Sequence, residues 1–224
     1  MSGRYPGKFY KKRHLQTKYA ADTVISLLLE NLPAVRSAVD FGCGVGTWLS
    51  ILQVNGVSDI LGIDGDWVDR KYLVIPKECF LEADLCGFSG VGRRFDLAIS
   101  LEAAEHLPAS YAVEFVRLLT EASDYVLFSA AVPGQGGEHH VNERWPSYWK
   151  DLFESEGFTA FDLIRPSIWS DNKIPFWYRQ NILFFCRKGC ADESLGSKYA
   201  ASGTSFPLDV VHPELYKQKL NRVE

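Results

Sequence analysis

The sequence predicts an α/β fold, a mostly parallel sheet with helices on both faces. Three observations carry that prediction. Short apolar runs alternate with amphipathic stretches through most of the chain, the pattern of βαβ units. The apolar run at 37–41 stops in Gly42-Cys43-Gly44-Val45-Gly46, and a helical pattern follows; strand, glycine-rich turn and helix in that order read as a first ligand-binding βα unit. Later strands end at Asp64, at Asp84, and before the segments 101–106 and 133–140. Right-handed crossovers place such ends on one rim, where open α/β sheets bind ligands.

The elements follow in order. Residues 1–18 are basic and aromatic and read as an arm or short helix. A helical stripe of apolar residues runs from 19 to 32 and ends near Pro33. Strands are expected at 37–41, 59–63, 79–83, 95–100, 125–130, 158–164 and 182–186, with helices at 47–54, 109–120 and 146–156. Pro146 suits a first helical position and Gly157 a stop. One or two helical turns are expected at 67–73. The division is an N-terminal arm and helix at 1–35, one domain at 36–188, and a flexible tail at 189–224, where Gly and Ser accompany weak periodicity.

The totals limit the function. The 224 residues fit one domain with appendages. A net charge of −4 without a dominant basic patch gives no support for nucleic-acid binding. No apolar run approaches the ~18 residues of a membrane span. The basic N-terminus lacks the apolar segment of a secretory signal. Five cysteines without a CxxC pair read as free thiols in a reducing cytoplasm.

The rim residues narrow the ligand. A carboxylate at Asp64 can accept from both hydroxyls of a ribose, and one at Asp84 can accept from an exocyclic amine. Either acid alone reads equally well as a helix cap or turn residue. The dinucleotide fingerprint wants glycine at its sixth place, where Thr47 stands, and the P-loop ending is absent. The turn carries no Lys or Arg to meet a pyrophosphate. A carrier with ribose and adenine but no phosphate fits better.

Asp40-x-Gly42-x-Gly44-x-Gly46, Asp64, Asp84-Leu85 and Glu102-x-x-Glu105-His106-Leu107 resemble the motifs of class I S-adenosylmethionine-dependent methyltransferases over about residues 36–130. The resemblance implies a Rossmann-like sheet of seven strands, the last antiparallel, in line with the seven runs above. It implies that Asp40 and the turn Gly42, Cys43, Gly44 and Gly46 underlie the methionine part of the cofactor. Asp64 would hold the ribose, Asp84 and Leu85 would frame the adenine, and Leu101 and Glu102 would line the methyl group. Gly65 departs from the bulky residue often found after the ribose acid. Trp67 can substitute by stacking; burial in the core is the competing reading.

The methyl acceptor is read from the histidines. A hydroxyl acceptor needs a base, and His is the default near neutral pH. His106, His139 and His140 fall on the rim, with His14 in the arm and His212 in the tail. His106 serves pocket architecture or chemistry with equal reason. His139 and His140 cannot both point one way if extended. A metal at Glu138-His139-His140-Asn142-Glu143 is the sharper alternative, but the spacing is no familiar ligand pattern, and no metal is expected. Aromatic residues at 145–149 and 169–178 would roof the pocket, with ordinary packing the competing reading.

The run from Glu138 to Trp149 and the late segment from Leu208 to Glu214 loosely resemble small bacterial methyltransferases encoded among glycan and natural-product genes. That resemblance implies methyl transfer to a small-molecule acceptor, a hydroxyl on a sugar or natural product. The alternatives are an NAD-dependent oxidoreductase and a non-catalytic cofactor-binding protein.

Overall fold

The computed structural model describes residues 7–190 and 207–221. Seven strands run through it: β1 (Ser37–Phe41), β2 (Asp59–Asp64), β3 (Phe80–Glu82), β4 (Leu97–Leu101), β5 (Tyr125–Ser129), β6 (Phe158–Phe161) and β7 (Leu183–Arg187). They form one sheet of order β3-β2-β1-β4-β5-β7-β6. The first five strands pair in parallel, and β7 runs antiparallel to both β5 and β6. The expected seven-stranded, mostly parallel sheet is therefore present. The order reverses between β1 and β4, so a crevice opens there at the carboxyl ends of the strands.

Strand residues feed two cores by simple alternation. Ala38, Leu97, Ile99, Leu127 and Phe184 face one side, with α1 (Gly7–Leu29) and α2 (Thr47–Val54) packed on them. Val39, Ala98, Val126, Phe128 and Phe185 face the other, beneath α3 (Ala112–Ala122) and α4 (Pro146–Ser155). Covering both faces is what makes β4 buried at every position. On the second face Phe153 stacks on Phe185 at 3.9 Å between ring centres. Trp149 packs against Phe128 at 5.1 Å. Each such side chain contributes about 1.5–3 kcal/mol by leaving water.

The aromatic segments therefore do not simply roof the rim. Trp149 is core, and Tyr178, in α6 (Phe176–Asn181), is buried edge-on to Trp48. Only Trp145 of the first segment is well exposed among its tryptophans.

At the N-terminal end the apolar stripe expected at 19–32 is buried as read, with Ala20, Ala21, Val24, Ile25 and Leu28 fully enclosed in α1. From residue 7 the helix is continuous. The segment 207–221 corrects the flexible-tail expectation. It returns to the body and forms α7 (Pro213–Leu220), with Leu215 and His212 buried. Polar anchors hold it: Asp209 accepts from the amide and hydroxyl of Ser147 at 2.9 and 2.7 Å. Arg179 pairs with Glu214 at 2.6 Å. The rest of that expectation, at 191–206 and 222–224, lies outside the described residues. Among the described residues no helix is long and apolar enough to cross a membrane.

Arg165, at the start of α5 (Arg165–Ile168), ties these parts together while only 2% exposed. Its guanidinium donates to both Asp162 oxygens, at 2.9 and 2.8 Å. It also donates to the carbonyls of Gln180 and Leu208, at 3.1 and 2.9 Å. Arg165→Ala should cost about 3–5 kcal/mol in urea unfolding, because Asp162 and two carbonyls lose their donor in the interior. Tryptic cleavage after Lys217 and Lys219 should accelerate in the same variant. Wild-type protection there would mean that the segment is held by other contacts.

Candidate active site

The turn after β1 is built from left-handed glycines, with φ of +87° at Gly42, +55° at Gly44 and +84° at Gly46. Their missing side chains serve different ends. A Cβ on Gly42 would stand 2.5 Å from Cβ of Ala103, and one on Gly46 would meet Ile75 at 2.8 Å. These two let the turn pack against its neighbours. A Cβ on Gly44 would meet nothing within 4 Å. Gly44 thus borders open space at the crevice, where a ligand can approach the backbone.

Asp64 locks this turn to the end of β2. Its Oδ2 accepts from the Gly44 amide and its Oδ1 from the Gly65 amide, each at 2.7 Å. Burial raises its pKa; the two amides and the indole of Trp67 pull it back without cancelling the rise. Asp40 lies deeper, 2% exposed, and burial followed by the charge of Asp64 lifts its pKa well above the carboxylate range. Its Oδ2 has no hydrogen-bond partner among the described residues. Burial, then Asp64 and Asp40, also lift the Cys43 thiol well above its usual value, which removes it as a thiolate nucleophile.

Trp67 resolves the departure at Gly65. Its ring crosses the space where a Gly65 Cβ would stand, 2.3 Å away, and it stays 37% exposed. The tryptophan is on the rim rather than in the core, and glycine is what admits it. Asp84 is exposed and accepts from the Cys86 amide at 2.9 Å, a local Asx turn. Leu85 beside it is buried.

Across the crevice, Leu101 is buried and Glu102 adopts φ +54°, a conformation that costs a non-glycine residue about 1–3 kcal/mol and is met at functional sites. Its carboxylate accepts from Asn181 and from Gln135, each at 3.0 Å. Asn181 also donates to Gln135 Oε1 at 2.9 Å, and Gln180 accepts from the His212 amide at 2.7 Å. This amide-rich wall escapes sequence reading because its members come from separate segments.

The histidines divide. His139 is exposed, at φ +60°, and stands outside the cluster that unites Glu105, His106 and His140. The ligand-type atoms of those three lie within 4.8 Å of one another. His106 and His140 meet edge to face at 4.9 Å. The Glu105 carbonyl accepts from the amides of Val141 and Asn142, at 2.9 and 3.1 Å, which docks the loop after β5 on the loop after β4. His140 Nδ1 bonds Glu143 Oε1 at 2.9 Å. Glu143 in turn accepts from the amides of Gly134 and Gly136, at 2.7 and 2.6 Å. Burial raises the Glu143 pKa, but His140 and these amides outweigh it and leave it below the usual value.

Two histidines outside the expected set are accounted for. His14 is not remote: its Nδ1 bonds the Thr47 hydroxyl at 3.0 Å, at the start of α2. Burial and Lys18 lower its pKa. His212 is structural, accepting from the Glu214 amide at 3.1 Å and bonding the Trp169 carbonyl at 3.1 Å. A cavity of about 280 Å³ lined by Pro33, Val35, Asp96 and Tyr125 lies at the opposite rim, so volume alone does not mark the site.

A phosphate-free adenosyl cofactor fits these residues. Gly44 leaves a cradle that a Cβ would fill, the Asp40 oxygen awaits a donor, and the turn offers no cation for a phosphate. A family described as a methyltransferase domain matches residues 12–163, more than half of the chain. No curated protein matches significantly. Magnesium protoporphyrin IX methyltransferase (ChlM) from Synechocystis PCC 6803 with bound SAM superposes with a TM-score of 0.57 at 20% identity, covering 83% of this chain and 87% of that one. With bound SAH the values are 0.56, 18%, 84% and 90%. A SAM-dependent methyltransferase from Archaeoglobus fulgidus gives 0.57 at 15% identity, covering 80% and 98%. At such identities these likenesses carry the fold; the family match carries the membership, in place of the NAD-dependent alternative. The chain belongs to the methyltransferase-domain family, has the class I Rossmann-like fold, and uses S-adenosylmethionine.

Proposed function

We propose that this protein methylates a hydroxyl of a small molecule, a sugar or natural product, with the proton leaving through the Glu105–His106–His140–Glu143 cluster. The observation that carries the reading is His140 held by Glu143 at 2.9 Å, on the same rim as the glycine turn. The cofactor supplies a methyl group on a positively charged sulfur. Asp40, Gly42, Cys43, Gly44 and Gly46 would underlie its methionine part, and Asp64 its ribose. Asp84, Leu85 and Trp67 would surround the adenine, and Leu101 with Glu102 would close the methyl side.

The chain's own task is positioning and proton removal. In-line displacement gains most of its rate from holding the partners in place. A Glu143-bound Nδ1–H leaves the Nε2 lone pair of His140 to accept a proton. The wall of Glu102, Gln135 and Asn181, held by its own hydrogen bonds, would present a fixed polar surface to a hydroxylated ligand. Solved relatives in fold include the ChlM enzyme, named for magnesium protoporphyrin IX, and an O-methyltransferase family protein from Burkholderia thailandensis. Five thiols outside disulfides suit a reducing cytoplasm.

Calorimetric titration with S-adenosylhomocysteine tests the cofactor half, and absence of binding would sink it. Gly44→Ala should weaken that binding at least about tenfold with a stability loss near 1 kcal/mol, since its Cβ enters open space at positive φ. Gly42→Ala should instead lose about 2–4 kcal/mol of stability through overpacking on Ala103 and backbone strain. Equal behaviour of the two variants would refute the assignment of Gly44 to the ligand side. Asp64→Ala should weaken binding by ~1–3 kcal/mol.

For the chemical half, a panel of hydroxylated compounds with methyl-labelled cofactor identifies an acceptor. His140→Ala should then lower turnover about 10²–10⁴-fold, while His139→Ala remains near wild type. Comparable losses in both would remove the His140–Glu143 pair from its assigned role.

A further inference from the structure

We propose that Glu105, His106 and His140 form a site for a first-row divalent cation, built for Zn²⁺-like coordination with a position left for the acceptor. The proposal rests on the methyl-transfer reading above for its place in the reaction and exchanges the imidazole base of that reading for a bound cation; the site itself stands on geometry.

The donor set is one carboxylate and two imidazoles, a composition used by catalytic zinc sites with an open coordination position. The three candidate atoms lie within 4.8 Å of one another. His140 Nε2 and Glu105 Oε1 are 4.0 Å apart, which is beyond hydrogen-bond range. Two ligands of one tetrahedral ion at about 2.0–2.1 Å stand roughly 3.3–3.4 Å apart. Modest side-chain rotation closes the difference.

Glu143 supplies a second, independent observation. Metal-bound imidazoles almost always donate their other ring N–H to a carboxylate or carbonyl, which fixes the tautomer and turns the lone pair toward the ion. His140 has this arrangement: Nδ1 meets Glu143 at 2.9 Å, and Nε2 faces Glu105. Glu143 is not left to find its own place. Two loop amides pin its carboxylate, at 2.7 and 2.6 Å. An orienting carboxylate that is itself oriented is more than surface pairing requires.

Burial and access complete the case. Glu105 is 1% exposed and the His140 side chain 12%, so a cation there would interact in a medium far less screening than water. His106 is exposed and leaves the outer side of the cluster open to a ligand. The backbone bonds from Val141 and Asn142 to the Glu105 carbonyl hold the two donor loops in fixed relation. A cation in this place would lower the pKa of a bound hydroxyl. The hydroxyl proton would pass to water, and His140 would serve as a ligand rather than as the acceptor of that proton.

The site is hidden from sequence spacing. Glu105 and His106 follow β4, His140 lies in the loop after β5, and neighbouring His139 attracts equal notice while standing outside.

The test uses the full-length protein, treated with EDTA and dialysed, then titrated with Zn²⁺, Co²⁺ and Mg²⁺ by calorimetry. Bound metal after gel filtration is counted by elemental analysis, and Co²⁺ absorption reports the ligand geometry. One equivalent of Zn²⁺ should remain bound, with Mg²⁺ far weaker. His106→Ala, His140→Ala and Glu105→Gln should each weaken Zn²⁺ at least about tenfold, and Glu143→Gln about 10–100-fold. His139→Ala should bind as wild type does. S-adenosylhomocysteine affinity, measured in parallel, confirms that each variant is folded. Absence of Zn²⁺ binding, or binding unchanged in both His106→Ala and His140→Ala, overturns the site. The two readings separate: no metal with His140→Ala inactive removes the cation and keeps the imidazole base, whereas metal binding without cofactor-product binding keeps the cation site and removes the methyl-transfer reading.

Discussion

The carboxylate of Asp64 is the constraint on which the crevice depends. One of its oxygens holds the Gly44 amide and the other the Gly65 amide, so the glycine turn after β1 and the exit of β2 are fastened through one side chain. Charge-assisted bonds of this kind are roughly twice as strong as neutral ones. They are set against burial, which raises the pKa of Asp64 and, more severely, that of Asp40 beside it. A fold that sought only stability would not bury two acids together. Their presence at the switch point of the sheet, with Asp40 Oδ2 lacking a partner among the described residues, is a burial that packing alone does not explain.

From that fastening the rest of the rim follows by contact. Gly42 has no Cβ because Ala103 lies where it would stand, so the turn after β1 is pressed against the loop after β4. That loop carries strained Glu102 and then Glu105, whose carbonyl receives the loop after β5. The His140–Glu143 pair is therefore positioned through a chain of packing that begins at the glycine turn. The order of strands matters here. Because β4 adjoins both β1 and β5, its exit loop lies between the turn after β1 and the loop after β5.

The glycine-turn side of the rim, the proposed cofactor side, was legible in the sequence because it is local. The glycines, Asp40, Asp64 and the Gly65–Trp67 pair lie within one βαβ stretch, and each meets a backbone requirement with few chemical solutions. Strand boundaries were legible for a similar reason: strands buried on both faces leave apolar runs with sharp polar ends. The returning segment 207–221 was not, since α7 is short and buries mainly Leu215, while its anchors are Arg165, Ser147, Arg179 and Gln180. Polar pairs between distant positions leave no periodicity to read. Trp149 and Tyr178 follow the ordinary-packing reading, which composition leaves open because it does not reveal whether an aromatic side chain faces a core or a pocket.

The proposed acceptor side shows why reaction class and acceptor identity differ in legibility. Its wall takes Glu102 from the end of β4, Gln135 from the loop after β5, Gln180 and Asn181 from α6, and support from His212 in the returning segment. Any one of these amides would pass as an ordinary surface residue in sequence. Joined, they satisfy one another and hold the carboxylate of Glu102 from two directions. Methyl donation requires the same cofactor contacts in every member of a family, whereas each acceptor requires its own wall. Assembling that wall from distant loops lets it change without disturbing Asp64 and the glycine turn. The division of labour that protects the cofactor floor is thus also what hides the acceptor from a linear reading.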